Sequence, residues 1–178
     1  MRTLIASIER EYRRYKTLAE GAIDQLADSG LADAAGGGNS IATIVWHISG
    51  NLKSRFTDFL TSDGEKPWRD RDSEFVARHV TRAELQAKWE EGWRVLFAVL
   101  ADLADADLER TVTIRAQSIP VVEALHRSLA HASYHVGQIV YVAKALRGAD
   151  WQSLSIPPGQ SARYNQASAF EPAPRPIR

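Results

Sequence analysis

The chain has 178 residues, of which 44% are hydrophobic and none is cysteine. That length suits a single domain with a substantial core, and the lack of cysteine excludes disulfides, thiolate metal sites and a cysteine nucleophile. Lysine plus arginine and aspartate plus glutamate both total 22, so no long-range field favours nucleic acid or an anionic membrane. Charges interrupt the N-terminal apolar run, and no segment approaches about 18 consecutive apolar residues. We therefore expect a cytoplasmic protein without a signal peptide or a membrane span.

Two amphipathic helices are predicted first, because apolar residues recur every three or four positions over residues 2–28 and 41–60. Between them, the run AAGGGNS opposes a continuous helix through its three glycines, and Asn39 or Ser40 can cap the second helix. A line of polar side chains runs beside the apolar stripe of the second helix. It either marks the solvated edge of the stripe or faces an internal cavity. Its members are Thr43, His47, Asn51, Ser54 and Asp58.

The segment 61–78 is dense in charge and contains Gly64 and Pro67. This composition predicts a long crossover loop that is either a lid or disordered. A third helix then begins with a capping box at Thr81 and Glu84 and carries large apolar residues at helical spacing.

The pattern changes to alternation over residues 105–119, where Val112 and Ile114 are flanked by polar residues. Alternation predicts a short strand or hairpin arm. Pro120 then begins a fourth helix at its first turn, and Gly148 ends it.

Together these segments predict an all-α fold, a four-helix bundle over residues 1–150. The bundle has a long crossover between its second and third helices and a short β-hairpin before the fourth. Residues 151–178 form an irregular C-terminal tail. We expect its first, apolar part to pack on the bundle and its last, proline-rich residues to be disordered.

Two histidines, His131 and His135, lie four residues apart in the uncharged part of the fourth helix. This spacing puts both rings on one helix face, within reach of one metal ion. His47 lies in the middle of the second helix and offers a third ligand, as facing helices do in metal-binding bundles. The alternative is that all three are core histidines bonded to Tyr134, Gln138 or a backbone carbonyl.

Three imidazoles suit zinc, nickel or iron better than calcium or magnesium and leave at least one coordination position open. A cation with an open position can lower the pKa of a bound water or thiol, or polarise a carbonyl. Asn51 and Arg55 lie one and two turns beyond His47, and Gln138 lies beyond His135. These three residues are the candidate substrate-binding groups. For Arg55 the competing interpretation is a solvated or salt-bridged surface residue.

The sequence around these histidines resembles a known superfamily. The stretches TIVWHISGNL and LAHASYHVGQIVYVAK are similar to the metal-binding segments of the DinB/YfiT-like four-helix bundles, over residues 1 to about 150. The stretches RFTDFLTSDGEKPWRDRDSEF, HVGQI and WQSLSIPPGQS are most similar to a bacterial subgroup of unknown function. The resemblance implies a DinB-like homodimer whose metal ligands are His47, His131 and His135.

Characterised members of the superfamily include S-transferases that use mycothiol or bacillithiol, a mycothiol-dependent maleylpyruvate isomerase and proteins described as metal-dependent hydrolases. The resemblance therefore implies a divalent ion that activates a low-molecular-weight thiol or a water for attack on a small electrophile. The alternative is a non-catalytic dimeric bundle whose metal site is structural or vestigial. Neither interpretation calls for nucleic acid or a membrane as a partner.

Overall fold

Four long α-helices make up most of the computed structural model, which describes residues 2–166. A short fifth helix, α5, follows at Ser161–Gln166. The four long helices are α1 at Thr3–Ile23, α2 at Ile41–Phe56, α3 at Arg82–Asp102 and α4 at Val121–Arg147. The predicted all-α bundle is confirmed. The predicted disorder at the end of the tail concerns residues that lie outside the described range.

The helices meet in one apolar core. α2 packs chiefly on α3 and α1 on α4, and α2 also contacts α4. The stripes that predicted the helices supply the core, whose largest fully buried side chains include Tyr12, Phe56 and Trp93. Because α2 and α4 are in contact, the histidine-bearing turns of these two helices can approach each other. Among the described residues, no helix is long and apolar enough to span a membrane.

Side-chain caps mark the starts of α2 and α3. The Ser40 hydroxyl accepts a hydrogen bond from the Thr43 backbone N–H at 3.2 Å, which starts α2. Thr81 and Glu84 form the predicted capping box at the start of α3. The predicted end of α2 was residue 60, but the helix ends at Phe56. Thr57 is extended, with ψ of 127°, and Asp58 then adopts a left-handed conformation with φ of 49°.

The β-hairpin predicted before α4 is present. Strand β1, Thr111–Ile114, pairs antiparallel with β2, Gln117–Pro120. The two-residue turn between them places Arg115 and Ala116 at φ of 53° and 58°, a left-handed conformation that non-glycine residues rarely adopt. The carboxylate of Asp63 accepts hydrogen bonds from both backbone N–H groups, at 2.9 and 2.8 Å. The crossover segment therefore supports the hairpin turn and is anchored by it.

The chain beyond α4 returns to α1. The Gln25 side chain donates to the Gln152 carbonyl at 3.0 Å and accepts from its backbone N–H at 2.8 Å. Trp151 and Leu154 are partly buried against the core. These contacts tie the first part of the tail to the bundle.

Gly92 allows α3 to approach α2 closely. A β-carbon at this position would lie 2.7 Å from Cα of Ser49 and 3.0 Å from its carbonyl oxygen. We expect Gly92→Ala to lower the free energy of unfolding by about 1–3 kcal/mol, because the two backbones must move apart. Urea denaturation monitored by circular dichroism measures the change.

Gly137→Ala is the matched control. Gly137 is an exposed residue of α4, and outside its chain neighbours and the adjacent helix backbone no described atom lies within 4 Å of a β-carbon built there. Helix propensity predicts a gain of up to about 1 kcal/mol for this substitution. A Gly92→Ala protein as stable as the Gly137→Ala protein would contradict the close approach of α2 and α3.

Candidate metal centre

Three histidines from two helices meet between α2 and α4. Nε2 of His47 lies 3.2 Å from Nε2 of His131, and the three ring centroids are 4.7–5.1 Å apart. Each of the three rings has one nitrogen that lies within 4.8 Å of a nitrogen in each of the other two rings. His47 and His135 are buried, and His131 is half-buried. The structure thus brings together the three side chains that the sequence proposed as ligands.

The spacing of the His47 and His131 nitrogens fits two ligands of one transition-metal ion. Zinc–imidazole bonds are about 2.0–2.1 Å long, so two nitrogens on one ion lie roughly 2.9–3.4 Å apart at octahedral to tetrahedral angles. The distance of 3.2 Å between His47 and His131 falls within that range. Nε2 of His135 is buried and has no hydrogen-bond partner among the described residues, although buried polar atoms normally have one. A shared metal ion would satisfy that nitrogen.

A carboxylate that the sequence analysis did not identify holds the other side of the His47 ring. Nδ1 of His47 lies 2.8 Å from Oε2 of Glu74. An ionised carboxylate can only accept a hydrogen bond, so Nδ1–H is the donor. The Nε2 lone pair of His47 then faces the other two histidines, as a metal ligand requires.

Arg69 fixes the position of Glu74. Its Nε and Nη2 donate to the two carboxylate oxygens at 2.8 and 2.9 Å, and the two side chains are only 3% and 7% exposed. Burial alone would raise the pKa of Glu74, but hydrogen bonds from His47 and Arg69, with the charge of Arg69, outweigh it and lower the pKa. Gly50 leaves room for this carboxylate, since a β-carbon there would lie 2.1 Å from Oε1 of Glu74.

Glu74 and Arg69 both belong to the crossover segment 61–78. This segment is folded rather than disordered, and its 3-10 turn at Asp72–Phe75 lies against α2. The Phe75 ring packs 4.8 Å from the ring of His47. The one sequence signal for this contact was Phe75, an aromatic residue next to an acid inside a charged stretch. It does not indicate which acid of that stretch turns inward.

Gln138 contacts the cluster through His135. Its Oε1 lies 2.7 Å from Nδ1 of His135, three residues earlier on α4. The amide oxygen accepts from Nδ1–H and leaves the lone pair on Nε2. The alternative of core histidines predicts this contact. The same contact also suits a metal ligand, because it fixes the orientation of the His135 ring. Gln138, a predicted substrate-binding residue, is not among the residues that line the cavity beside His131.

A cavity of about 350 Å³ opens beside His131. The other two candidate substrate-binding residues, Asn51 and Arg55, lie in its wall. The Arg55 side chain is only 14% exposed, and it donates to the Gly64 carbonyl and to Glu65. Arg55 therefore lines the cavity and is also salt-bridged, as the competing interpretation allowed, but its side chain is largely buried rather than solvated.

Burial keeps two of the histidines neutral at physiological pH. It lowers the pKa of His131 to about 3, helped by the neighbouring His135 and His47 and by Arg69 and Arg55. Burial also lowers the pKa of His135 to about 4, although the hydrogen bond with Gln138 opposes the shift. Neutral imidazoles are the form that binds metal, so neither ring must lose a proton to do so at pH 7.

We expect the metal-free protein to lose stability as the pH falls from about 6.5 towards 4. In the unfolded chain these histidines titrate near their ordinary pKa of about 6.5, well above the folded values, so the unfolded state binds more protons across this range. The free energy of unfolding therefore rises with pH. Thermal melts between pH 4 and pH 7 with a chelator present measure it.

Two variants isolate the histidine contribution. His131→Gln should flatten the pH dependence, whereas His126→Gln should leave it unchanged because His126 is an exposed residue of the same helix. The same pH dependence in both variants would contradict the neutral state assigned to His131.

One family model matches residues 1–160 of the chain, and its description is "Protein of unknown function (DUF1572)". The matched region contains all four long helices and the three clustered histidines. The sequence matches none of the curated proteins and none of the solved structures with which it was compared.

Proposed function

We propose that this chain, which belongs to the DUF1572 family, is a metal-dependent enzyme with one divalent ion held by His47, His131 and His135. The observation that carries the proposal is the convergence of three ring nitrogens. In His47 and His135, a hydrogen bond at the other nitrogen orients the ring. Imidazole ligands favour zinc, nickel or iron.

The bound ion would supply one piece of chemistry, a lowered pKa for a low-molecular-weight thiol or a water that then attacks a small electrophile. The residues of the chain do the rest. Glu74 holds His47 in its ligating tautomer, and Arg69 holds Glu74. Asn51 and Arg55 line the cavity that opens at His131 and orient the electrophile there.

The position of the histidines supports the wider assignment. A four-helix bundle with one histidine on α2 and two on α4 is the arrangement that the DinB/YfiT-like motifs imply. We extend the proposal to membership of that superfamily, to a homodimeric and cytoplasmic protein, and to a bundle at residues 1–150 followed by a tail at 151–178.

An assay of thiol transfer and hydrolysis tests the activity. The protein is purified without a metal-chelating tag, loaded with zinc, nickel or iron, and mixed with 1-chloro-2,4-dinitrobenzene and a panel of thiols that includes mycothiol and bacillithiol. 4-Nitrophenyl acetate reports hydrolysis. We expect metal-dependent turnover that His131→Ala abolishes and His126→Ala retains. Turnover that is unchanged after metal removal, or in His131→Ala, would contradict the proposal.

A non-catalytic bundle is the second candidate, and one observation favours it. The contact between His135 and Gln138 is the one expected of a core histidine. In this case the cluster, or a metal bound to it, serves stability alone. His135→Ala would then lower the melting temperature without removing any turnover, and a metal-free protein with an unchanged melting temperature would count against a structural metal.

A further inference from the structure

We propose that the cavity beside His131 binds a small organic anion, whose carboxylate or phosphate group pairs with Arg127. The inference rests on the proposed function and names the class of substrate for that same site. Three observations carry it: the arginines share the cavity with His131, their acidic partners are few, and part of the cavity wall is apolar.

The cavity follows the histidine-bearing faces of both helices. Arg127 precedes His131 by four residues on α4, and Asn51 follows His47 by four residues on α2. Residues four apart share a helix face, and Arg127, His131 and Asn51 all line the cavity. A molecule bound there would therefore reach both Arg127 and His131, the member of the histidine cluster that lines the cavity.

The charged side chains that line the cavity are all cationic. They are Arg55, Arg115 and Arg127, and no carboxylate lines the cavity within the described part of the chain. Glu65 is shared, since it accepts from Arg115 at 2.8 Å and from Arg55 at 3.3 Å. Two guanidinium groups thus have one carboxylate between them.

Arg127 has the weakest acidic partner of the three arginines. Its ion pair with Glu123 is 3.8 Å long, and the two side chains are 61% and 52% exposed. Such an exposed pair contributes little energy and gives way readily to a better partner. The planar guanidinium fork matches a carboxylate or phosphate, to which it can donate two parallel hydrogen bonds.

An apolar wall completes the cavity. It consists of Phe56 at the end of α2, Phe59 just beyond that end, and Ile114 and Ile119 from the hairpin. A free inorganic anion would gain nothing from these side chains, whereas the carbon body of an organic anion would bury apolar surface against them. The volume of about 350 Å³ is at the lower end for small-molecule sites. The ligand is therefore a small molecule with one anionic end.

Calorimetric titration of the full chain, stripped of metal by a chelator, tests the proposal. Benzoate and phenyl phosphate are the anionic probes, and benzyl alcohol is the neutral probe of similar shape. We expect at least one anion to bind with a Kd of about 1 mM or below and benzyl alcohol not to bind. Arg127→Gln should weaken the binding of the anion by about 10-fold or more. Arg94→Gln is the control and should leave the affinity for the anion unchanged, because Arg94 is an exposed residue of α3 and does not line the cavity.

The outcomes separate this inference from the proposed function. Equal binding of benzoate and benzyl alcohol, no binding of either anion, or unchanged anion binding in Arg127→Gln would overturn it. Anion binding that persists in His131→Ala supports an arginine-based site that is independent of the metal. Failure to load metal would overturn the proposed function and leave the anion site standing.

Discussion

Replacing His131 with alanine should weaken metal binding by more than about 100-fold, beyond what the loss of a hydrogen bond to a metal ligand costs. His131 lies next to both other ligands, with its Nε2 3.2 Å from that of His47 and its ring centroid 4.7 Å from that of His135. Without it, two imidazoles remain, and they must hold the ion with water in place of the third. Competition titration against a chromophoric chelator measures the affinity.

His126→Ala is the matched control for that titration. It removes an imidazole from the same helix, one that is exposed and lies outside the cluster. The metal affinity of this variant should stay within about twofold of the affinity of the unsubstituted protein, since the substitution removes no ligand. Equal losses in the two variants, or no loss in His131→Ala, would contradict the ligand set.

The buried pair of Glu74 and Arg69 should carry the largest effect on stability. Each single alanine substitution leaves the other charge buried without its partner, and the expected loss is about 3–5 kcal/mol in the free energy of unfolding. The double variant should lose clearly less than the sum of the two, because it leaves no unpaired charge. Urea denaturation with a chelator present measures all three variants without a contribution from bound metal.

Arg110→Ala serves as the control for an exposed ion pair. Arg110 contacts Asp107 at 3.0 Å, but its side chain is 52% exposed. Such a pair contributes about 0–1 kcal/mol. Additive losses for Glu74 and Arg69, or single losses as small as that of Arg110→Ala, would show that the two side chains do not form a buried pair.

The histidine cluster could be predicted from the sequence because it depends on local periodicity. A spacing of four residues in an uncharged helix puts His131 and His135 on one face, and the apolar pattern around His47 turns it inward. In the polar line on α2, Thr43, His47 and Ser54 are buried and Asn51 lines the cavity, whereas Asp58 is exposed. The line therefore faces the interior over most of its length, reaches the cavity at Asn51, and is a solvated edge at Asp58.

Glu74 could not be predicted because its position depends on the tertiary path of a loop. The segment 61–78 contains nine charged residues, and composition alone does not say which of them turns inward. Glu74 reaches His47 because the 3-10 turn at Asp72–Phe75 lies on α2 and because Gly50 leaves space beneath it. Both conditions involve residues more than twenty positions apart in the sequence.

The hairpin turn illustrates the same limit on a smaller scale. Alternation predicted a strand, but Arg115 and Ala116 are not residues that usually form a tight two-residue turn. Their left-handed conformations are supported by hydrogen bonds to Asp63, which lies some fifty residues earlier in the chain. A partner so distant in the sequence leaves no local signal in the turn itself.

Anomalous diffraction from crystals grown with zinc, nickel or iron would test the central claim most directly. The protein should be purified without a metal-chelating tag, and data should be collected on both sides of the metal absorption edge. We predict one strong peak per chain, about 2.0–2.2 Å from a ring nitrogen of each of His47, His131 and His135. No peak at the cluster, with less than about a tenth of an equivalent of metal by elemental analysis, or a peak only at surface carboxylates, would contradict the account.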